Sequence, residues 1–174
     1  MNRAFGALLL ALPLVAQAPL AIRVGRLVDV VRGQVLQDRT ILVREGRVVR
    51  VEAGSAAVPA GATTLDLSGY TVLPGLIDTH THLVGDIQGA SAAAPLERTG
   101  AQDLVAGLRH ARATLRAGFT TVRDVGTLRA FTDVTLRDAI AEGTVEGPRM
   151  AVCGTYITTR SGSGDLPGIA PDVR

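Results

Sequence analysis

The apolar pattern between Ala21 and Leu73 breaks into short segments separated by turn residues. Thr40–Arg44 and Arg47–Glu52 flank Glu45-Gly46, a pair that is typical of a two-residue hairpin turn. The other segments and turns are Ile22–Val31 ending at Gly33, and Thr63–Asp66 followed by Ser68-Gly69. Several short strands with turns about ten residues apart predict a small β-sandwich or barrel. We find no cluster of reactive side chains here, so this part is interpreted as structural.

From Thr71 onward, strand patterns alternate with helical patterns. Apolar residues at helical spacing mark the helices, and Gly118 and Gly143 are predicted to end them. The predicted elements are a strand at 71–78 that is broken by Pro74-Gly75, a helix at 102–116, a strand at 120–124, a helix at 129–142 and a strand at 149–153. This alternation predicts an α/β fold with a parallel sheet.

Three strands and two helices amount to a partial TIM-like (β/α) barrel. A closed eight-stranded barrel takes about 250 residues, and the chain has 174. We therefore expect the chain to be the truncated N-terminal portion of a longer protein. The alternative is a small open α/β domain that is complete as it stands.

The first eighteen residues have the pattern of a secretory signal peptide. Arg3 is followed by an apolar run from Ala4 to Val15 and by Ala16-Gln17-Ala18, a small-x-small cleavage pattern. The run is shorter than the ~20 residues that span a bilayer. The predicted organisation is a signal peptide at 1–18, a β-sandwich portion at 19–70 and the first part of a barrel at 71–174. We expect a secreted or periplasmic protein that is free of the membrane after cleavage; an uncleaved anchor or a buried first helix is the alternative.

The amino-acid composition excludes several kinds of catalytic and metal-binding site. All 18 basic residues are arginine and the formal net charge is +2, so Schiff-base chemistry is excluded for this chain. Cys153 is the only cysteine, which excludes an internal disulfide and a cysteine-based zinc site. Aromatic residues make up 3% and the arginines are scattered, which argues against a nucleic-acid partner.

The motif with the clearest chemistry is Asp78-Thr-His80-Thr-His82, at the end of a predicted strand. Residues two apart on a strand point to the same side, so the His80 and His82 imidazoles can meet on one metal ion. Imidazole suits Zn, Fe, Ni or Cu. A catalytic zinc site usually has three protein ligands, so further ligands must come from elsewhere. The alternative is a chance pair of solvent-facing histidines.

Five other residues are interpreted from their positions in the predicted elements. Asp78 either orients an imidazole or caps the strand end. His110 lies opposite the apolar face of its helix, which predicts a solvated histidine. Asp124 ends a strand and either faces the metal pocket, caps the backbone or pairs with an arginine. Cys153 is expected to be a small core residue. Tyr156 follows the last strand and is a candidate for contact with the substrate.

The segment that carries the two histidines resembles a known protein family. The stretch Thr71-Val-Leu-Pro-Gly-Leu-Ile-Asp-Thr-His-Thr-His-Leu83 resembles the first barrel strand of the metal-dependent amidohydrolase superfamily. Val48–Glu52 and Leu65–Tyr70 resemble its N-terminal sandwich strands, and Ala117–Gly126 and Gly147–Gly154 its second and third barrel strands. Within the superfamily the pattern is most similar to the imidazolonepropionase-like group, which includes secreted Xaa-Pro dipeptidases.

The resemblance implies one or two divalent metal ions, with Zn²⁺ expected, that activate water for attack on an amide, cyclic amide or dipeptide bond. His80 and His82 match the two first-strand ligands. The remaining ligands and the proton acceptor of the family would lie beyond Arg174, so the catalytic residues are unknown and we expect no turnover by this chain. The implied partners are a small-molecule or dipeptide substrate and a second copy of the chain.

One position departs from the family pattern. Ser163 stands where dipeptidase-like relatives often carry a histidine, in the loop Arg160–Asp165. This loop either faces the substrate or is a solvent loop. Two other functions stay open at the level of sequence, namely a non-catalytic secreted fragment or binding module, and a protein that scavenges metal ions.

Overall fold

The computed structural model describes residues 18–54, 57–85, 97–129, 131–160 and 162. The chain divides into two compact units, Met1–Pro74 and Gly75–Arg174. Within the described residues, no helix is both long enough and apolar enough to cross a membrane.

The described residues of the first unit form a four-stranded sheet in the order β3-β2-β1-β4. The strands are β1 (Leu20–Asp29), β2 (Gln34–Arg44), β3 (Arg47–Ala53) and β4 (Thr63–Val72). β2 is antiparallel to both β1 and β3, whereas β4 is parallel to β1. The predicted hairpin turn is confirmed, because Glu45 and Gly46 join β2 to β3 with φ angles of 50° and 70°.

The predicted turn at Ser68-Gly69 is wrong, because β4 continues through both residues to Val72. The pairing of β4 with β1 changes register between Val24 and Arg26, so the extra residues of β4 form a bulge. Gly25 lies opposite, and a Cβ atom there would be 2.0 Å from the Ser68 carbonyl oxygen. The Ser-Gly pair therefore marks an irregularity within a strand and not its end.

The second unit has a parallel three-stranded sheet in the order β5-β6-β7 with two helices. Its elements are β5 (Leu76–Thr81), α1 (Gly100–Arg116), β6 (Phe119–Asp124), α2 (Thr132–Ala141) and β7 (Arg149–Val152). The predicted fold class is confirmed: the molecule is α/β, with part of a (β/α) barrel after an N-terminal β unit.

The predicted break at Pro74-Gly75 is confirmed, because Thr71 and Val72 pair with β1 as the end of β4 and β5 begins at Leu76. Two other predictions about the ends of elements are wrong. The second helix begins at Thr132, since Phe131 has a left-handed φ of 62°. The last strand ends at Val152, and Cys153 after it is exposed, so Cys153 is not a core residue.

The core of the second unit lies between its sheet and its helices. Its buried residues are Leu83, Val84, Ala111, Val122, Leu136 and Met150. Leu83 and Val84 follow directly after His82, so the segment that carries the histidine pair continues into the core. This burial fixes the backbone at the carboxyl end of β5.

Candidate metal centre

The two histidines of the motif lie next to each other at the carboxyl end of β5. His80 is exposed within the strand, and His82 is half-buried one residue beyond its end. Their ring centroids are 5.5 Å apart and the ring planes meet at 69°. Two imidazoles that share one tetrahedral ion have centroids about 5 Å apart. The two rings are therefore close enough to supply two ligands to a single metal ion.

Hydrogen bonds select the tautomer of His82. Its Nδ1 atom lies 2.9 Å from the Gly126 carbonyl oxygen and 2.9 Å from the Tyr156 hydroxyl oxygen. A carbonyl oxygen only accepts, so Nδ1 carries the proton and donates to Gly126, with the phenol oxygen as a second acceptor. The Nε2 atom is then unprotonated, and its lone pair is free to bind a metal.

Tyr156 is held next to His82 by backbone hydrogen bonds, and its ring packs over Gly126, where a Cβ atom would lie 2.7 Å from two of its carbons. The Tyr156 amide donates to the Thr127 carbonyl at 3.2 Å, and the Thr127 amide donates to the Gly154 carbonyl at 3.0 Å. The rings of Tyr156 and His82 have centroids 5.9 Å apart. Burial raises the pKa of the Tyr156 hydroxyl above its usual value of 10.0, so it is protonated near neutral pH.

Asp124 caps backbone amides beside the histidine pair. Its side chain is buried, and its Oδ2 atom accepts from the Leu83 amide at 2.6 Å while Oδ1 accepts from the Gly126 amide at 3.3 Å. Desolvation raises the pKa of the Asp124 carboxyl above its usual value of 3.8, although both amides oppose this shift. Of the interpretations open from the sequence, the structure shows the backbone cap.

Asp78 is also a backbone cap, since its Oδ1 atom accepts from the His80 amide at 3.0 Å. This contact orients the backbone of His80 and not its imidazole. The structure therefore matches the second of the two interpretations given to Asp78.

His110 is not solvated, and this prediction is wrong. The residue is half-buried, and its Nδ1 atom donates to the Leu83 carbonyl oxygen at 2.9 Å. The buried residues of α1 include Ala106 and Gly107, which lie one turn before His110 on the same face. Alanine and glycine at these positions allow α1 to pack closely. The leucines of the same helix form a more obvious apolar pattern, so the face that carries His110 looks polar in the sequence.

The described residues contain no cluster of three or more histidine, cysteine or carboxylate side chains that could hold a metal ion. The two imidazoles and the free Nε2 atom of His82 fit a metal, but as a partial ligand set. The loop position Ser163 and Asp165 at the end of the same loop lie outside the described residues.

Comparison with known proteins gives a consistent group of relatives. The profile of the amidohydrolase family matches residues 71–169. An imidazolonepropionase of Mycolicibacterium smegmatis is 33% identical over 132 residues, which cover 75% of this chain and 28% of the relative. A dihydroorotase of Geobacter sulfurreducens is 37% identical over 132 residues, covering 72% of this chain and 28% of the relative.

The fold is similar to that of solved structures. A crystal structure of a Xaa-Pro dipeptidase with methionine bound in its active site superposes with a TM-score of 0.79 at 32% identity. The match covers 89% of this chain and 38% of the dipeptidase. The chain spans less than a third of the length of the imidazolonepropionase and of the dihydroorotase.

Proposed function

The chain belongs to the amidohydrolase family, and on this premise we propose that its second unit contributes to a metal-dependent site that hydrolyses carbon–nitrogen bonds. Members of this family typically depend on divalent metal ions. The observation that carries the proposal is the facing pair of His80 and His82, with the Nδ1 atom of His82 bound to a backbone carbonyl. Zn²⁺ is the expected ion, since imidazole nitrogens suit it.

His80 and His82 would hold the ion, and the protein's other groups prepare them for it. A bound ion supplies Lewis acidity and lowers the pKa of a water molecule. The Gly126 carbonyl keeps the proton of His82 on Nδ1 and so leaves Nε2 as the metal ligand.

Tyr156 is proposed to contact the substrate. Its oxygen accepts from His82 in the tautomer described above, so its own proton is free to be donated elsewhere. A substrate carbonyl or carboxylate oxygen is a suitable acceptor. The proposed substrates are small amides, cyclic amides or dipeptides, as the names of the dihydroorotase and the Xaa-Pro dipeptidase suggest.

Metal titration tests the ligand assignment. Calorimetry with Zn²⁺ and visible spectra with Co²⁺ should show binding by the unaltered chain and at least a tenfold loss of affinity in His80→Ala and in His82→Ala. Arg109→Ala, an exposed position on α1, is the control and should leave the affinity unchanged. Equal affinity in the double histidine variant would remove the proposed site.

The substrate class is tested on the metal-loaded chain. Xaa-Pro dipeptides and dihydroorotate should bind only when metal is present, and Tyr156→Phe should weaken that binding several-fold without changing the metal affinity. We expect no turnover by the 174 residues, because a catalytic zinc site usually has three protein ligands and the described residues place two histidines together. Metal-independent binding would contradict the proposal.

We also propose that residues 1–18 direct export and are removed, which leaves Pro19 as the first residue. The support is the sequence pattern of Arg3, the apolar run and Ala16-Gln17-Ala18. Mass spectrometry of the exported protein measures its N-terminus. Recovery of the protein with Met1 retained would contradict this.

A further inference from the structure

The residue that follows His82 is held at both of its backbone polar atoms. The Leu83 amide donates to Asp124 Oδ2 at 2.6 Å, and the Leu83 carbonyl accepts from His110 Nδ1 at 2.9 Å. Leu83 itself is buried, with 6% of its surface exposed. The peptide groups on either side of Leu83 are therefore fixed by one side chain from β6 and one from α1.

The second oxygen of Asp124 reaches the other segment that controls His82. Asp124 Oδ1 accepts from the Gly126 amide at 3.3 Å, and the Gly126 carbonyl accepts from His82 Nδ1 at 2.9 Å. One carboxylate thus connects the backbone after His82 to the residue whose carbonyl selects the His82 tautomer. The peptide bond from His82 to Leu83 and the hydrogen bonds to Asp124 and Gly126 thus form a closed ring of contacts around His82.

We propose that Asp124 and His110 are positioning residues for His82. Both hold the backbone of Leu83 next to His82, and Asp124 also holds the Gly126 amide, so together they set the His82 tautomer and its readiness to bind metal without touching the ion. The part that concerns metal affinity rests on the proposed function, whereas the part that concerns the tautomer does not.

The choice of side chains supports this role. A buried carboxylate is costly unless its oxygens are hydrogen-bonded, and Asp124, at 1% exposure, directs one oxygen to each of two different segments. An asparagine offers one acceptor oxygen, so it can serve one of these amides but not both. His110 presents a ring N–H to the Leu83 carbonyl, and an asparagine side chain can place an N–H at a similar position.

Nitrogen-15 histidine NMR on the full chain without metal tests the proposal. The sequence has three histidines, so single substitutions assign every signal. We expect His82 to be protonated mainly at Nδ1. Asp124→Asn and His110→Leu should convert it to a mixture of tautomers, and His110→Asn should restore the original signal.

Stability alone is controlled with Gly118→Ala, which places an alanine at a positive φ of +96° where its Cβ atom meets nothing within 4 Å. This variant should melt earlier and leave the His82 tautomer unchanged. Where Zn²⁺ binds, Asp124→Asn and His110→Leu should weaken its affinity about 10- to 100-fold, the range measured for residues that orient metal ligands.

The outcomes separate the two proposals. If the unaltered chain binds no metal, the proposed function fails, and the tautomer experiment still decides the positioning role. If His82 keeps its tautomer in folded Asp124→Asn and His110→Leu, the positioning role is overturned whatever the metal affinity. If Asp124→Asn does not fold, the comparison of His110→Leu with His110→Asn decides.

Discussion

Among single residues, Gly126 is placed where a side chain would strike Tyr156. Its φ is +123°, and a Cβ atom there would lie 2.7 Å from two ring carbons of Tyr156. We expect Gly126→Ala to displace the Tyr156 ring from His82 and to lower the free energy of unfolding by about 1–3 kcal/mol. Denaturant unfolding and the His82 NMR signals measure the two effects.

Gly118→Ala is the matched control for this change. Gly118 also has a positive φ, of +96°, but a Cβ atom there would meet nothing within 4 Å. It should destabilise the chain through backbone strain and leave the His82 signals unchanged. A displaced His82 signal in both variants would contradict the steric explanation.

Asp124 gives the stability a pH dependence of unusual sign for a carboxyl group. Burial raises its pKa in the folded chain above the ordinary value of 3.8. Between these two pKa values the folded state keeps a proton that the unfolded state has lost, so this group's contribution to the free energy of unfolding falls as the pH rises.

The variant Asp124→Asn lacks this titration. The stability of the unaltered chain relative to the variant should therefore decline as the pH rises from about 3.8 through the pKa of the folded state. Urea unfolding of both proteins across this range measures the difference. A relative stability that increases with pH would show that the two amides outweigh burial.

Residue-level prediction from sequence worked where the causes are local. The spacing of His80 and His82 predicts that both lie on one side of the backbone at the end of β5, and their rings are close together in the structure. The contact between Tyr156 and His82 joins residues 74 positions apart, so no local pattern specifies it. The helical pattern does not predict the contact of His110, because α1 approaches Leu83 and Val84 at Gly107, which has no side chain to mark that face as apolar.

Among the elements, α1 begins at a capping box. Thr99 Oγ1 accepts from the Gln102 amide at 3.3 Å, and the Gln102 side chain accepts from the Thr99 amide at 2.8 Å. Thr99→Ala should lower the free energy of unfolding by about 1 kcal/mol, and Thr99→Ser should retain most of it. Thermal unfolding distinguishes the two, and equal losses would show that the hydroxyl is not the cause.

In the N-terminal sheet, Gly25 allows the β4 bulge to approach β1. A Cβ atom at Gly25 would lie 2.0 Å from the Ser68 carbonyl oxygen, so Gly25→Ala must move the backbone and should cost about 1–3 kcal/mol. Gly69→Ala lies in the same bulge with nothing within 4 Å of its Cβ position and should change the stability by less than about 0.5 kcal/mol. Denaturant unfolding of both variants tests the difference, and equal costs would rule out the close approach.

Element boundaries were predictable only where the local sequence stops an element by itself. Gly118 follows α1 with a positive φ, as predicted. The start of α2 was not predictable, because Phe131 is apolar and fits the helical pattern, yet the backbone places it in the left-handed region. Ser68-Gly69 looks like a turn, but Leu67 and Thr71 on either side of it pair with β1, and the strand continues through both residues.

For the whole molecule, the change from short strands to alternating strands and helices was sufficient to predict the fold class. It did not specify which strands are neighbours. The parallel pairing of β4 with β1 skips the hairpin between them in sequence, and only the complete sheet determines it. Along the chain, the first compact unit ends at Pro74 and the second begins at Gly75.

This strand order sets the sequence in which the N-terminal sheet can assemble. The β2–β3 hairpin closes through Arg44 and Arg47, a local step that takes about 1–10 μs. The pairing of Leu20 with Thr63 must instead close a segment of about 40 residues, which costs more chain entropy and is slower. While β4 is absent, the outer edge of β1 is unpaired, and a second chain emerging from synthesis can occupy it. Slow pairing of β4 would therefore prolong the exposure of this edge to other chains.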